Sequence, residues 1–283
     1  MKALPFNIPK PENHALVFQE DHEYTFYDKL HQHEEIQISL IVNGEGTLVI
    51  GDTVCDYQPN DIFVIGANLP HVFRSESGLK ERSLMLSLFF SSTSFGDHFF
   101  DIDEFADLKP VIKRSDYGIK VLSRRAPIKV LFLQLKDTTR LNRFVKLIEI
   151  LYLISISNTK QLSSFVFHKP FSDRHGNRMS AIFEYTMNHF KEPIDLVTIA
   201  NVANMTTNAF CKYFKQRTNK TYIQFLNDIR IENACKLLLK NNDMSVEEIA
   251  TVSGYSSIAN FNRKFKKIKN MTPTAFRKLS VNH

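Results

Sequence analysis

Between about Phe26 and Leu88 the apolar residues recur with period two or in short blocks. Ile36, Ile38 and Leu40 alternate with polar neighbours, Asn43-Gly44-Glu45-Gly46 marks a turn, and TLVI (47–50) is closed by Gly51-Asp52. Pro59-Asn60-Asp61 then precedes IFVI (62–65). Short β-rich runs so closely punctuated by Gly, Pro, Asn and Asp predict an antiparallel sandwich or barrel. From about Asp97 onward the pattern turns helical. Its clearest segment, about 138–157, carries Leu141, Phe144, Val145, Ile148, Leu151 and Tyr152 at spacings of three and four, beside Arg140, Arg143, Lys146 and Glu149. So apolar a stripe needs a partner surface, either its own domain or a second copy of the chain. The polar run SDRHGN (172–177), with Pro170 before it and Gly176 within it, is read as a domain boundary. After it the chain reads as helix, punctuated by Pro193, Gly254 and Pro273.

The last third repeats itself. DLVTIANVANMTTNAFCKYFKQRTN (195–219) resembles SVEEIATVSGYSSIANFNRKFKKIKN (245–270), with Ile199-Ala200 answered by Ile249-Ala250, and Phe210, Phe214 and Lys215 by Phe261, Phe265 and Lys266. The second copy is one residue longer in its turn. Each has a short helix, a tight turn at Asn204 or Gly254, a hydroxyl able to cap the next helix (Thr206; Ser256 or Ser257), and a basic amphipathic helix. This is a duplicated helix-turn-helix pattern, about 195–217 and 245–269. Phe261, Phe265 and Ile268 at i, i+4 and i+7 anchor the later helix and leave Ile258, Asn262, Arg263 and Lys266 on other faces. In the earlier helix Phe210 and Phe214 anchor, while Asn208, Cys211, Lys212 and Lys215 face outward. Between the copies TYIQFLNDIRIENACKLLLKN (221–241) has no Gly or Pro. About 20 helical residues span roughly 30 Å, near one turn of duplex DNA.

Charge sharpens the picture. Residues 179–283 carry a net +7, whereas residues 1–178 carry −1. A near-neutral front joined to a basic last third suits a sensor fused to a polyanion binder. The length of 283 residues allows about two domains. Cys55, Cys211 and Cys235 are widely spaced and form no CxxC pair, which argues for neither a disulfide framework nor a zinc site and fits a reducing cytosol. The start MKALPFNIPKPENH has no apolar run suited to a signal peptide, and LIEILYLISIS (147–157) is too short to span a bilayer.

The last hundred residues resemble the DNA-binding domain of AraC/XylS-type transcription regulators. The resemblance rests on Ile199-Ala200, Phe214-Lys215, Arg230 with Ala234 and Leu237-Leu238, Ile249-Ala250, Gly254-Tyr255, Phe261, Phe265-Lys266-Lys267, and Thr272-Pro273 before Phe276-Arg277. It implies base contacts from Asn208, Cys211 and Lys212 in the first reading helix and from Ile258, Ala259, Asn262 and Arg263 in the second. Phosphate contacts are expected from Thr206, Lys215, Ser257, Lys266, Lys267 and Lys269. Cys211, Ile258 and Ala259 cannot make bidentate hydrogen bonds and suit thymine methyls or little readout, whereas Arg263 suits a guanine. The front part resembles, more loosely, the cupin-like sensing domain that often precedes this module, through His31, His33, Gly44, Pro59-Asn60-Asp61 and Pro70-His71. Metal-binding cupins place a carboxylate four residues after the second His, where this chain has Gln37. No metal or other cofactor is therefore favoured, and His31, His33, Gln37 and His71 are expected either to line an effector pocket or to be structural.

The expected architecture is α+β in two domains. Residues 1–172 form a cupin-like β-barrel with helices, including a dimerisation segment at 138–157, and residues 178–283 form an all-α domain with two helix-turn-helix motifs. The expected function is a cytoplasmic, non-enzymatic, sequence-specific regulator that binds double-stranded promoter DNA as a homodimer, with a small effector and RNA polymerase as further partners and no membrane. A metal-dependent cupin enzyme and an effector-independent architectural DNA-binding protein are the alternatives.

Overall fold

Six consecutive residues of the strand IQISLIVN, from Ile36 to Ile41, are buried. A strand's side chains alternate between faces, so its sheet must be covered on both sides. The computed structural model describes residues 15–76, 81–167, 173–240 and 243–280, and its chain divides into two units, Met1–Asn177 and Arg178–His283.

In the first unit the strands are β1 (Val17–Glu23), β2 (Ile36–Asn43), β3 (Gly46–Ile50), β4 (Thr53–Tyr57), β5 (Ile62–Ile65), β6 (His71–Ser75), β7 (Ser83–Phe90), β8 (Ile119–Val121) and β9 (Thr159–Gln161). They form one sheet in the order β1-β7-β2-β5-β8-β9 and another in the order β4-β3-β6. All pairings are antiparallel. One face of the larger sheet, through Ile38, Leu40, Ile62, Val64, Leu86 and Leu88, joins the core of helices α1 (Lys109–Ser115), α2 (Arg125–Leu133) and α3 (Arg140–Ser155). Residues of the other face, Ile41, Phe63, Ile65 and Met85, pack with Leu48, Ile50, Tyr57 and Phe73 of the smaller sheet. The larger sheet is thus the middle of three layers.

Two sequence expectations are corrected by this arrangement, and a third reading is refined. Among the described residues no cupin-like closed barrel is formed: the two sheets are separate and open, with β1 and β9 at the edges of one and β4 and β6 at those of the other. Closure would require edge strands to pair. The pattern was also expected to be helical from about Asp97 onward, yet β8 and β9 return to the larger sheet. At three residues each, they are too short for a period-two signal to register against their helical neighbours. In α3 the buried residues are Leu147, Ile150, Leu151 and Ile154. Of the stripe chosen from spacing, Leu141, Val145 and Tyr152 lie exposed, at 70%, 46% and 50%. The helix has two apolar faces: Leu151 and Ile148 of the stripe join Leu147, Ile150 and Ile154 at the core, and Leu141, Val145 and Tyr152 turn outward.

The Pro59-Asn60-Asp61 turn does more than end a strand. Asn60 adopts a left-handed φ of 70°, and the buried Asp61 carboxylate accepts from Lys120 Nζ at 2.6 Å and Arg125 Nη1 at 3.1 Å. One buried charge with two cationic partners ties the start of β5 to β8 and α2, and losing it would leave those cations uncompensated.

In the second unit the helices are α4 (Asp173–His189), α5 (Leu196–Val202), α6 (Thr207–Thr218), α7 (Tyr222–Lys240), α8 (Val246–Val252), α9 (Ile258–Lys269) and α10 (Pro273–Ser280). The polar run read as a boundary therefore overlaps the first turn of α4, and Ser172 itself lies outside the described residues. Helix α7 serves both repeats. Tyr222 and Phe225 contact the rings of Phe210 and Phe214 in the first, and Ile231, Ala234, Cys235 and Leu238 share a core with Ile249, Ala250, Tyr255, Phe261 and Phe265 in the second. Being buried against two partners, α7 lacks the one-sided stripe of a surface helix.

Candidate nucleic-acid interface and histidine cavity

The two repeats turn by the same hydrogen bonds. Met205 N donates to Ala200 O at 2.9 Å and Asn204 N to Asn201 O at 2.9 Å; in the second copy Tyr255 N donates to Ala250 O at 3.0 Å and Gly254 N to Thr251 O at 3.0 Å. Asn204 and Gly254 occupy the equivalent left-handed position, with φ of 51° and 89°. Thr206 caps α6 and Ser257, rather than Ser256, caps α9, so the extra residue of the second turn precedes the cap. Helix α8 begins with a capping box between Ser245 and Glu248.

Gly254 is constrained twice. A Cβ there would stand 2.6 Å from Phe190 O and 2.8 Å from Arg230 Nε. Arg230 itself donates from Nε to Phe190 O at 2.7 Å and from Nη2 to Glu192 O at 2.8 Å, clamping the end of α4 to the second turn. Gly254→Ala is expected to cost at least about 1–3 kcal/mol, from backbone strain and displacement of that clamp. Asn204→Gly, at the position whose backbone glycine tolerates freely, should change stability by less than about 1 kcal/mol. Thermal unfolding of the two variants checks this, and equal melting temperatures would refute it.

With Phe210, Phe214, Phe261 and Phe265 fully buried, the faces left outward are fixed. Thr206, Asn208, Cys211, Lys212 and Lys215 are exposed on and before α6, and Ser257, Ile258, Ala259, Asn262, Arg263, Lys266 and Lys267 on and before α9. Arg263 Nη2 donates to Asn260 Oδ1 at 3.0 Å, one turn back along the same helix. Lys269 is placed differently: its ammonium sits 2.5 Å from Glu232 Oε1 of α7, with both side chains largely buried. An exposed row bearing amide, guanidinium, aliphatic and ammonium groups over a rigid aromatic anchor can enter a major groove and meet bases at one end and phosphates at the other.

In the first unit the predicted pocket residues do come together. One ring nitrogen each from His31, His33 and His71 lies within 4.8 Å of the other two. His31 and His71 bridge through their backbones, N to O at 3.1 and 2.9 Å. Each ring also has Nδ1 on a carbonyl: His31 on Lys29 O at 2.9 Å, His33 on Glu35 O at 2.9 Å, His71 on Leu69 O at 2.8 Å. A carbonyl only accepts, so each Nδ1 carries a proton, and a ring that is neutral has its lone pair at Nε2. Burial pushes the His31 imidazolium down to about 4 and that of His71 well below its usual range, which keeps both neutral. His71 Nε2 is buried and has no hydrogen-bond partner.

Gln37 stands beside the cluster, its Oε1 3.1 Å from His33 Nε2, and its Nε2 donates to Ser39 Oγ at 2.7 Å. Ser39 Oγ in turn lies 2.7 Å from Ser87 Oγ, so a polar seam runs into the sandwich. The cavity these groups line has a volume of about 50 Å³ and is completed by Gln19, Asp21, Tyr27 and Phe89, among others. Gln19 and Asp21 were not anticipated, because VFQEDHE (17–23) carries too many polar residues to stand out as a strand. Burial raises the Asp21 carboxyl, opposed by the Gln19 hydrogen bond at 2.6 Å.

Residues 199–279 match the helix-turn-helix domain family, and residues 13–162, over half of the chain, match the AraC-like ligand binding domain family. The uncharacterized HTH-type transcriptional regulator YdeC of Bacillus subtilis is 25% identical over 271 residues, spanning 90% of this chain and 87% of its own. Among solved structures, the DNA-binding domain of the global transcriptional factor AdpA in complex with a target DNA is 28% identical, covering 35% of this chain and 87% of that one at a TM-score of 0.33. Apo ToxT from Vibrio cholerae, 15% identical, covers 95% of this chain and 98% of its own at a TM-score of 0.37.

Proposed function

The chain belongs to the AraC-type helix-turn-helix transcriptional regulators, and from that premise we propose that it is a cytoplasmic homodimer whose α6 and α9 read adjacent major grooves under the control of a small effector. It is a DNA-binding regulator rather than an enzyme, as its full-length relative is a transcriptional regulator. The observation that carries the proposal is the outward row Ile258, Ala259, Asn262 and Arg263, set over buried Phe261 and Phe265 and matched in α6 by Asn208, Cys211 and Lys212. Helix α7, with 19 residues, is about 28 Å long at 1.5 Å per residue. That suits reading helices about one duplex turn, roughly 34 Å, apart. Thr206, Lys215, Ser257, Lys266 and Lys267 take phosphates; Lys269, paired to Glu232, does not.

The exposed Leu141, Val145 and Tyr152 of α3, with half-buried Ile148 between them, give a 4-3-4 stripe that a second copy would cover. Effector binding in the cavity of His31, His33, Gln37 and His71 would shift the DNA-binding unit between two states, as differential affinity requires. Bound at a promoter, the protein acts with or against RNA polymerase. Among the described residues no helix is long and apolar enough to cross a membrane.

Selection of binding sites from random duplex DNA by the full-length chain tests the reading. Two short elements centred about ten base pairs apart are expected, bound at least about a thousandfold more tightly than random sequence. A selected pool with no common element would contradict it.

A further inference from the structure

The cavity lined by the histidines is too small for the role usually given to such pockets. Sites for organic ligands run to roughly 300–1,000 Å³, whereas this one measures about 50 Å³, room for an ion and one or two waters. Its lining is also of one chemical kind. Three imidazoles converge, each oriented by an Nδ1–H on a backbone carbonyl, the arrangement that fixes tautomer and direction in a metal-ligating histidine. The buried, unpartnered Nε2 of His71 is an acceptor that no protein group serves, and leaving it so costs on the order of 1–3 kcal/mol.

We propose that His31, His33 and His71 bind one divalent transition-metal ion through Nε2, with Gln37 Oε1 as a fourth ligand, and that this ion is the effector of the front unit. The proposal rests on reading that unit as a sensor. His33 Nε2 and Gln37 Oε1 lie 3.1 Å apart, at hydrogen-bond distance. Without an ion the pair is a hydrogen bond, donated by His33 Nε2 when that nitrogen carries a proton and by the amide when it does not. Two donor atoms about 2.1 Å from a common metal stand close to 3.0–3.4 Å apart, so the pair already has the spacing of adjacent ligands. Without an ion, turning the amide over places its nitrogen towards His33 and its oxygen towards the Ser39 hydroxyl. A glutamine can thus satisfy both the loaded and the empty state, which a carboxylate cannot. The sequence argument weighed the missing carboxylate against a metal; in the folded chain the amide gives a reversible site instead.

The three nitrogens lie within 4.8 Å of one another, and ligation would set them about 3.0–3.4 Å apart, so loading would fix the spacing of the rings. Because His31 and His71 hold the loop before β2 to β6 through a backbone bridge, an ion on the cluster would act on two elements of the unit. Neutral imidazoles and an amide oxygen select Zn²⁺, Ni²⁺, Co²⁺, Fe²⁺ or Cu²⁺ over Mg²⁺ and Ca²⁺. Asp21, lining the same cavity, supplies compensating charge.

The test is a titration of the chelator-stripped full-length protein with Co²⁺, followed by visible d–d absorption, with Zn²⁺ as competitor. One equivalent per chain is expected. His71→Ala and His33→Ala should abolish the bands, and the less buried His31→Gln should weaken binding by roughly ten- to a hundredfold. Gln37→Glu should tighten it by about tenfold or more, an outcome that loss of folding cannot mimic. DNA affinity is measured in parallel with and without Zn²⁺. Absence of stoichiometric Co²⁺ and Zn²⁺ uptake by protein that binds its selected site overturns the metal site and leaves the DNA reading standing. Stoichiometric uptake with no change in DNA affinity overturns the effector role. Uptake that survives His71→Ala unchanged overturns the ligand assignment.

Discussion

Phe265→Ala is expected to remove about 3–5 kcal/mol from the second unit, the loss usual for a fully buried aromatic. Phe265 has no exposed surface, its ring centroid lies 5.6 Å from those of Phe261 and Phe276, and its neighbours come from α7 and α8 as well as α9. Truncation therefore opens a void where three helices and the C-terminal α10 meet, and rigid helix backbones fill such a void poorly. A domain of this size has about 5–15 kcal/mol in all, so the change consumes a large share. For a unit of about 100 residues it corresponds to a fall in melting temperature on the order of 20 °C. Lys266→Ala, one residue along and exposed, should stay within about 0.5 kcal/mol of the parent. Thermal unfolding of the full chain followed by the helical circular dichroism signal separates the two. If Phe265→Ala melts with the parent, α9 is not anchored as described and its outward face is not fixed.

What the sequence made legible follows from how local the signal is. The repeated turns, their caps and the anchoring aromatics all lie within some 25 residues of each other in each copy, and a 3.6-residue period exposes them directly. The structure keeps Phe210, Phe214, Phe261 and Phe265 inside and the proposed base readers outside. Lys269 was the exception, because its partner Glu232 is 37 residues away on another helix. The front unit was harder for the same reason. Whether its sheets close is decided by edge strands distant in sequence. The three-residue strands β8 and β9 declare themselves only through their ladder to β5, and which face of α3 is buried depends on the sheet beneath it. The histidine pair at i, i+2 and His71 were visible as residue types. The carbonyls that orient them, and the lack of any partner at His71 Nε2, are tertiary facts.

Arg263→Ala bears on the central claim, that the outward face of α9 reads sequence rather than merely charge. Arg263 is exposed and lies in the second turn of α9, one turn beyond Ile258 and Ala259. A bidentate contact to guanine is worth about 1–3 kcal/mol of discrimination, or roughly 5- to 150-fold. Lys266 and Lys267, further along the helix and exposed, are expected to act on phosphates, so Lys266→Ala should weaken all duplexes alike and reduce the salt slope by about one. The decisive measurement is the ratio of dissociation constants for the selected site and a scrambled duplex, taken at one fixed salt concentration for the parent, Arg263→Ala and Lys266→Ala. A ratio that collapses by that factor in Arg263→Ala and holds in Lys266→Ala is the predicted result; a ratio unchanged by Arg263→Ala would contradict it.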